Sequence, residues 1–414
     1  MANSSGLIRG LGLVGLIAST FNCTVGGGIF KLPAAVYAIA GPAAPFVYLT
    51  CFIVMFLIVA VFVQVGSRVK TSGGPYAYVQ PVLGSYVGFL CGVLLWFLAT
   101  FAMASVANAY AGFLGMAVPL FSGAMGNAVG VFITLAALSW ININGVKAGS
   151  KTSIFLSIAK LFPLLLLVFA GIPHIKSEAL LPPVSSIHFS DIARGAMVLI
   201  FAFTGVESAL IPSGEIANPK KNLPRALYAA LFLVLFLYLG VQSVTQSVLG
   251  EELRGPMSSP LMTAAERIMG TTGGKILGFG ALLSTLGYLS AITMSLPRTL
   301  LAFAEDGYLP KVFGKIDPKT HTPVFAIIVQ SFIGWALAVS SQFEKLAVLA
   351  NLSAILMYIL CVAAAIKLKN SIVPWLSFIA MGFLLTSVTT IEWMSVGGLL
   401  ALSSIGYYFK HKKN

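Results

Sequence analysis

Long apolar runs, separated by short clusters of glycine, proline and charged residues, follow one another along the whole chain. A helix needs about 20 mainly apolar residues to cross a bilayer, and most of these runs have that length. The pattern predicts an all-α integral membrane protein with about 12 transmembrane helices in a single transmembrane domain, residues 1–414. The predicted helices cover 8–38, 43–66, 81–113, 125–145, 152–172, 190–213, 223–248, 274–303, 323–341, 346–368, 372–390 and 393–409.

The composition excludes a water-soluble globular protein. Of the 414 residues, 58% are hydrophobic and 9% are charged, whereas soluble domains carry roughly 25% charged residues. Twelve spans would occupy roughly 240 positions, which leaves loops too short for a sizeable domain outside the membrane. The first apolar run is longer than the core of a signal peptide, so we expect it to be retained as the first span.

The distribution of basic residues predicts the orientation. The 25 Lys and Arg outnumber the 12 Asp and Glu. They lie between the apolar runs and not on one soluble face, which argues against a nucleic-acid partner. With the N-terminus inside, seventeen of the 25 fall on the cytoplasmic side and seven on the other, while Lys160 lies within a span. The positive-inside rule then predicts a multi-pass protein of the cell (plasma or inner) membrane with both termini cytoplasmic.

Glycine interrupts two of the predicted spans, the first at residues 26–28 and the sixth at Gly205. Each glycine costs about 1 kcal/mol of helix propensity relative to alanine, so three in a row should unwind a helix. Unwound backbone persists in a membrane only where it lines a cavity or is buried in protein. The interrupted spans are five helices apart, and this odd offset predicts a 5+5 inverted repeat with the binding site at the paired breaks. The repeats would cover about 8–172 and 190–368, followed by two peripheral helices at about 372–409.

A broken helix exposes N–H groups at the start of its second half and carbonyl groups at the end of its first half. The N–H end suits a carboxylate and the carbonyls suit an ammonium group, so paired breaks could hold an amino acid zwitterion by main-chain atoms alone. Glycine would let such a ligand approach the backbone closely. The alternative is a glycine-lined packing face, but such faces space small residues four apart, whereas these are contiguous.

Four sequence blocks, in order, resemble the amino acid–polyamine–organocation (APC) transporter superfamily. The blocks are Val25-Gly26-Gly27-Gly28-Ile29-Phe30 with Pro33, Ser72-Gly73-Gly74-Pro75-Tyr76-Ala77-Tyr78, residues 201–208 continued by 214–226, and Pro297-Arg298 with residues 304–310. The chain is similar to bacterial sodium-independent amino acid transporters with a lysine in the fifth span. The resemblance implies ten core helices in two inverted repeats, two peripheral helices, and amino acid transport by alternating access.

The resemblance also implies a substrate site. The implied substrate-binding residues are Cys23, Thr24, Val25, Gly26, Gly27, Gly28, Ile29, Phe201, Ala202, Phe203, Thr204 and Gly205. The glycine backbone would hold the substrate carboxylate, and carbonyls on both breaks would hold its amine. Phe201 lies where relatives have an aromatic side chain that closes over the substrate, with ordinary core packing as the alternative. Many relatives have a hydroxyl residue at the position of Gly27, so we expect a missing side-chain hydrogen bond and a roomier pocket here.

Two ionisable residues within predicted spans, Lys160 and Glu207, are candidates for coupling or gating. Lys160 should lie roughly 13 Å into the hydrophobic core. An ionisable group at that depth is a functional candidate by default, although snorkelling is the alternative. The position resembles the fifth-span lysine of sodium-independent relatives, whose ammonium takes the place of a sodium ion, so we expect no sodium coupling. Glu207 matches an acidic family position implicated in coupling; the alternative is a protonated side chain bonded to neighbouring helices.

These observations predict a secondary active transporter of neutral amino acids with proton coupling or exchange. Its expected partners are the amino acid substrate, protons and the lipid bilayer. One alternative is an amino acid–amine or polyamine antiporter, which usually lacks the fifth-span lysine; another is a non-transporting sensor on the same scaffold. We expect no enzymatic activity, no cofactor and no metal site, because the sequence has no catalytic grouping or phosphate-binding loop and its four histidines are scattered. Residues 114–124 contain no cysteine, so we expect no disulfide-linked ancillary glycoprotein.

Overall fold

The computed structural model describes residues 12–66, 75–144, 160–180, 187–207, 218–255, 257, 259–320, 322–368 and 371–411. Over these ranges the chain forms helices and turns, without a β-strand. The α-helices are α1 (Leu13–Thr24), α2 (Leu32–Ala40), α3 (Ala44–Gly66), α4 (Pro75–Leu83), α5 (Ser85–Ala117), α6 (Gly123–Ile143), α7 (Leu161–Gly171), α8 (Phe189–Leu199), α9 (Pro219–Leu249), α10 (Pro260–Ser295), α11 (Pro297–Glu305), α12 (Val324–Ser340), α13 (Phe343–Leu368), α14 (Val373–Leu385) and α15 (Thr390–His411). A single helical turn covers Ser177–Leu180, and 3₁₀ helices cover Gly27–Phe30, Gly41–Ala43, Pro119–Phe121, Ile172–His174, Ile200–Ala202, Gly250–Arg254 and Lys311–Gly314.

Several helices have the length and apolar character needed to cross a membrane. In the described part of the chain these are Leu32–Gln64, Ser85–Ala117, Gly123–Ile143, Lys220–Arg254, Pro260–Glu305 and Phe343–Leu368. The pair α14 and α15 passes the same test together, although the two helices meet at 119°. The multi-pass, all-helical class is therefore confirmed, while the number of twelve spans stays a prediction. Parts of the predicted spans and blocks, residues 8–11, 72–74, 152–159 and 208–217, lie outside the described residues.

Two helices begin away from their predicted starts. The third span was expected over 81–113, but Gly84, with φ 92°, separates α4 from α5, which runs to Ala117. The eighth was expected from 274, whereas α10 begins at Pro260. Charged residues in its first turns lower the hydropathy without opposing a helix, and proline at the first helical position favours a start there. Gly270, with φ 70°, kinks α10 near the predicted boundary.

The centre of the molecule is built around α5 and α13, which pack extensively on each other and are largely buried. The helix α1 packs on α9, and the 3₁₀ helix Gly27–Phe30 packs against α5 and α10. Large apolar side chains remain exposed on the periphery, among them Trp140, Phe169 and Phe236. Such a surface is what a lipid-facing helix requires, because the surrounding hydrocarbon is itself apolar.

An ion pair fixes α8 to the corner between α14 and α15. The Arg194 guanidinium donates two hydrogen bonds to the Glu392 carboxylate, at 2.9 and 3.1 Å, and a third to the Ser387 carbonyl at 3.2 Å. Glu392 also accepts a hydrogen bond from the backbone N–H of Thr389 at 2.8 Å, which caps the start of α15. One carboxylate therefore holds both the corner and the helix that leads into the second break.

Candidate functional site

The first break lies between α1 and the 3₁₀ helix Gly27–Phe30. Val25 has φ −75° and ψ 87°, and the Gly26 N–H donates to the Thr24 carbonyl at 2.9 Å, which is the geometry of an inverse γ-turn. After this turn the chain becomes helical again, and the 3₁₀ helix begins with two glycines. The N–H groups at the start of a helix have no partner within it, so Gly27 and Gly28 present main-chain donors at this point.

The second break follows α8, which gives way to the 3₁₀ helix Ile200–Ala202 and a turn over residues 203–205. Gly205 has φ +106°, a conformation that residues with a side chain rarely adopt. A Cβ on Gly205 would lie 2.5 Å from the Cys23 carbonyl oxygen. Only glycine lets the two breaks come this close.

Tyr238 of α9 connects the two breaks. Its buried hydroxyl lies 2.9 Å from the Ala202 carbonyl oxygen and 3.3 Å from the Thr24 carbonyl oxygen, and it donates to them. Thr24 is the last residue of α1, and Ala202 is the last residue of the 3₁₀ helix Ile200–Ala202, so the hydroxyl donates to the carbonyl ends of both segments. Sequence reasoning missed Tyr238, because a tyrosine in a long apolar helix gives no signal of what its hydroxyl will contact.

Lys160 lies immediately before α7 and has only 3% of its surface exposed. Its ammonium nitrogen donates to the carbonyl of Val25, the turn residue of the first break. A buried charge needs such a partner, because desolvation without one is costly. The contact joins the fifth predicted span to the first break.

Glu207 provides the corresponding contact at the second break. Both carboxylate oxygens lie 3.0 Å from the Gly205 backbone nitrogen, which donates to them, and the Tyr358 hydroxyl donates to one of them at 2.9 Å. The side chain is buried, with 7% exposed. The Glu207 carboxylate therefore provides an acceptor for a main-chain N–H group of the turn.

A cavity of about 180 Å³ lies between the two breaks and the helices α5 and α10. The predicted residues that line it are Cys23, Thr24, Gly26, Gly28, Ile29, Lys160, Phe201, Ala202, Thr204, Gly205 and Glu207. The opposite wall is formed mainly by apolar side chains of α5 and α10, including Leu95, Leu98 and Ile292, with Tyr288 and Ser295 as its polar members. The arrangement offers main-chain donors and acceptors at one end and an apolar surface at the other.

Three predicted residues lie behind the cavity wall. Val25 is fully buried and contributes its carbonyl to Lys160. Phe203 packs its ring edge-on against Tyr238, with 5.5 Å between the ring centres. Gly27 faces α10, where a Cβ would overlap the methyl group of Thr285. The expectation of a roomier pocket at Gly27 is therefore wrong, because Thr285 fills the space that a side chain at this position would take.

Phe201 forms part of a layer of aromatic rings beside the cavity. Its ring packs over Gly28, where a Cβ would lie 3.0 Å from Phe201 Cδ1, and it meets Phe343 edge-on at 5.8 Å. The ring is 7% exposed. Phe201 therefore lines the cavity on one side and packs in the core on the other, so both interpretations of the residue describe part of its surroundings.

Comparisons with known proteins identify the family of the chain. The sequence model of the family "Amino acid permease" matches residues 23–411. The serine/threonine exchanger SteT of Bacillus subtilis is 26% identical to this chain over 99% of this chain and 98% of its own length. The methylthioribose transporter of the same organism is 23% identical over 100% of this chain and 95% of its own length. The L-lysine transport protein of Corynebacterium glutamicum is 30% identical over 77% of this chain and 66% of its own length. The chain therefore belongs to the amino acid permease family of the APC superfamily, and it is a membrane transporter and not an enzyme.

Proposed function

We propose that this protein is a secondary active transporter of neutral amino acids that works by alternating access without sodium. The observation that carries the proposal is the meeting of two broken helices across a cavity, with Gly205 against Cys23. The glycine N–H groups of the first break would bind the substrate carboxylate, because helix N-termini favour anions. The carbonyls at the ends of α1 and α8 would bind the ammonium group.

The neutral side chain of the substrate is inferred from the charges at the cavity. Among the described lining residues, the Lys160 ammonium donates to the Val25 carbonyl, and the Glu207 carboxylate accepts from Gly205 and Tyr358. Each of these charges is already engaged by the protein. A charged substrate side chain would have to be desolvated against the apolar wall of α5 and α10, which is costly.

Lys160 and Glu207 are our candidates for coupling or gating. The Lys160 ammonium supplies a positive charge at the first break, next to a carbonyl that would otherwise suit a metal cation. This supports transport without sodium, driven by a proton gradient or by exchange of one amino acid for another. Both residues lie against main-chain groups of a break, so a change in the charge of either side chain would act directly on the shape of the site.

The finer architecture belongs to the same proposal. We place twelve spans in the chain, with inverted five-helix repeats at about 8–172 and 190–368 and two peripheral helices at about 372–409. The positions of the breaks and their contact support the repeats, and the excess of basic residues on one side supports cytoplasmic termini in the cell membrane.

Flux measurements in proteoliposomes test the proposal. We expect saturable uptake of one or more neutral amino acids, in the absence of sodium, driven by a proton gradient or by amino acid loaded inside the vesicles. A thermal-shift screen of the twenty amino acids would select the substrates, because a bound ligand stabilises the folded state by mass action. Absence of saturable flux under every gradient would refute transport, and strict dependence on sodium would refute the role given to Lys160.

Exchange of cationic amino acids or amines is a second candidate. It is favoured by the Glu207 carboxylate in the cavity lining and by the similarity to the lysine transport protein. Competition by lysine, arginine and a diamine against uptake of a neutral amino acid distinguishes the two candidates. The neutral proposal expects no competition by any of the three cations.

A further inference from the structure

A second cavity, of about 300 Å³, lies between α5, α6 and α12. Its wall consists mainly of alanine, glycine and valine residues, and its polar side chains are Lys31, Asn108 and Asn127. None of these three residues belongs to the site described above. The small residues leave room for a ligand, so what the cavity can bind depends on the three polar groups.

The two asparagines present hydrogen-bond acceptors. The Asn108 amide nitrogen donates to the Ala338 carbonyl at 3.1 Å and to the Ser341 carbonyl at 3.0 Å. The Asn127 amide nitrogen, in the orientation that satisfies its neighbours, donates to the carbonyls of Phe121 at 2.9 Å and Ala111 at 3.1 Å. Both N–H groups of each amide are therefore used, and the amide oxygens are the polar atoms left for a ligand.

Lys31 provides a cation in the same cavity. Its ammonium lies 5.4 Å from the centre of the Phe343 ring. Among the described residues, no carboxylate lies within 4.0 Å of it. A cation–π contact uses the charge of an ammonium but leaves its N–H donors available for an anion.

Phe343 contacts one lining residue of each cavity. Lys31 lies over one side of this ring, and Phe201, which lines the first cavity, meets it edge-on at 5.8 Å. A ligand at Lys31 would therefore lie beside a ring that packs against the lining of the first cavity.

We propose that the second cavity binds an amino acid, with its carboxylate on Lys31 and its ammonium group on the amide oxygens of Asn108 and Asn127. The inference rests on the proposed function and adds a second binding site for the transported class of molecule. One cation and two acceptors complement a zwitterion. A simple carboxylate would leave the amide oxygens unused, and a simple amine would be repelled by Lys31.

A thiol introduced by Gly112→Cys reports on occupancy of this cavity. Gly112 lines the cavity, and a Cβ at this position meets no atom within 4 Å, so the substitution fits. Vesicles are treated with a membrane-impermeant maleimide on the side of Lys31, which the proposed orientation places outside. The protein without the reporter corrects for the four native cysteines. We expect a mixture of the twenty amino acids to slow the alkylation, and n-butylamine and butyrate to have little effect.

Charge variants test the role of Lys31. In the protein that carries Gly112→Cys, Lys31→Met and Lys31→Gln should raise the amino acid concentration needed for protection about tenfold, or abolish protection. Lys31→Arg should retain protection. Lys345→Met, at an exposed lysine outside the cavity lining, is the matched control and should change nothing. Melting temperatures show whether Lys31→Met and Lys31→Gln fold, and one folded variant of the two is enough for the test.

The same preparations separate this inference from the proposed function. Saturable flux without protection of the thiol would overturn the second site and leave transport standing. Equal protection by butyrate, or full protection in both neutral variants, would also overturn it. Protection in a protein that shows no flux under any gradient would support the site and count against transport.

Discussion

The two breaks differ in the side chain that stabilises each one. At the first break the Lys160 ammonium donates a hydrogen bond to the Val25 carbonyl. At the second break the Glu207 carboxylate accepts a hydrogen bond from the Gly205 N–H. A third group, the Tyr238 hydroxyl, bonds to carbonyls of both breaks.

The difference follows from the main-chain group that each turn presents to its side chain. The turn residue Val25 presents a carbonyl to Lys160, and the positive-φ turn at Gly205 presents an N–H to Glu207. In a membrane no bulk water can supply either partner. The comparison teaches that each interruption of a helix is specified by two features, a glycine that permits it and a side chain elsewhere that completes its hydrogen bonds.

The largest effect is expected from Gly205→Ala. The substitution forces a side chain into a positive-φ conformation and against the Cys23 carbonyl, so we expect a loss of about 3 kcal/mol or more in the free energy of unfolding and no measurable flux. Thermal unfolding in detergent measures the first and proteoliposome uptake the second. Gly382→Ala, in open space within α14, is the control and should be neutral or slightly stabilising. Unchanged stability and flux in Gly205→Ala would show that the breaks do not need this close approach.

Lys160→Met tests the first break alone. The variant keeps the length of the side chain but leaves the Val25 carbonyl without this donor. We therefore expect the free energy of unfolding to fall by about 2 kcal/mol and the flux to fall at least tenfold. Proton-driven accumulation and exchange are measured side by side. Lys176→Met, at an exposed loop lysine, is the control and should behave as the unmodified protein. Undiminished proton-driven accumulation in Lys160→Met would exclude Lys160 from coupling.

Tyr238→Phe tests the group that the breaks share. Without the hydroxyl, the Thr24 and Ala202 carbonyls lose a hydrogen-bond donor. We expect the free energy of unfolding to fall by about 1–2 kcal/mol and the flux to be reduced. Tyr48→Phe is a closely matched control, because Tyr48 is equally buried, packs edge-on against Tyr238 and has a hydroxyl with no hydrogen-bond partner among the residues that the structure describes. Removing that hydroxyl should be neutral or stabilising. Equal effects of the two substitutions would contradict the bridging role of Tyr238.

Gly27→Ala combined with Thr285→Ser tests the packing of the first break on α10. The alanine methyl overlaps the Thr285 methyl, so the single variant should lose about 1–2 kcal/mol. Thr285→Ser removes that methyl and should restore part of the loss, giving a favourable coupling of about 1 kcal/mol in a double-mutant cycle. Additive effects would show that the two positions do not share this space.

Glu207→Gln should have the smallest effect on stability. The amide oxygen of glutamine can still accept from the Gly205 N–H, so we expect the free energy of unfolding to fall by less than about 1 kcal/mol. If Glu207 takes part in coupling, proton-driven accumulation falls while exchange persists. Equal losses in both modes would assign Glu207 a purely structural role.

The sequence predicted those parts of the site that depend on local backbone chemistry. Glycine at 26–28 and at 205 predicted both interruptions, because the cost of glycine in a helix is a property of the residue itself. Lys160 was predicted from its place in an apolar run, since an isolated charge within a span needs a partner. The start of α10 was missed, because hydropathy detects the apolar part of a helix and not its polar first turns.

The remaining features depend on contacts between residues far apart in the chain. Nothing in the sequence around Tyr238 shows that its hydroxyl will contact the ends of α1 and α8, and nothing around Thr285 shows that it will fill the space at Gly27. The second cavity is equally hidden, because Lys31, Asn108 and Asn127 come from three separate helical segments. Such features follow from the packing of helices, which a pattern along one helix does not encode.

The ion pair between Arg194 and Glu392 has a consequence for shortened versions of the protein. A chain cut before α14 would lack the carboxylate and the Ser387 carbonyl, and would leave a guanidinium without counter-ion on the surface of α8. That helix ends just before Phe201, so the missing anchor would weaken the support of the first cavity from outside it. Truncation of α14 and α15 removes no residue that lines this cavity, but it should still impair the rest of the protein.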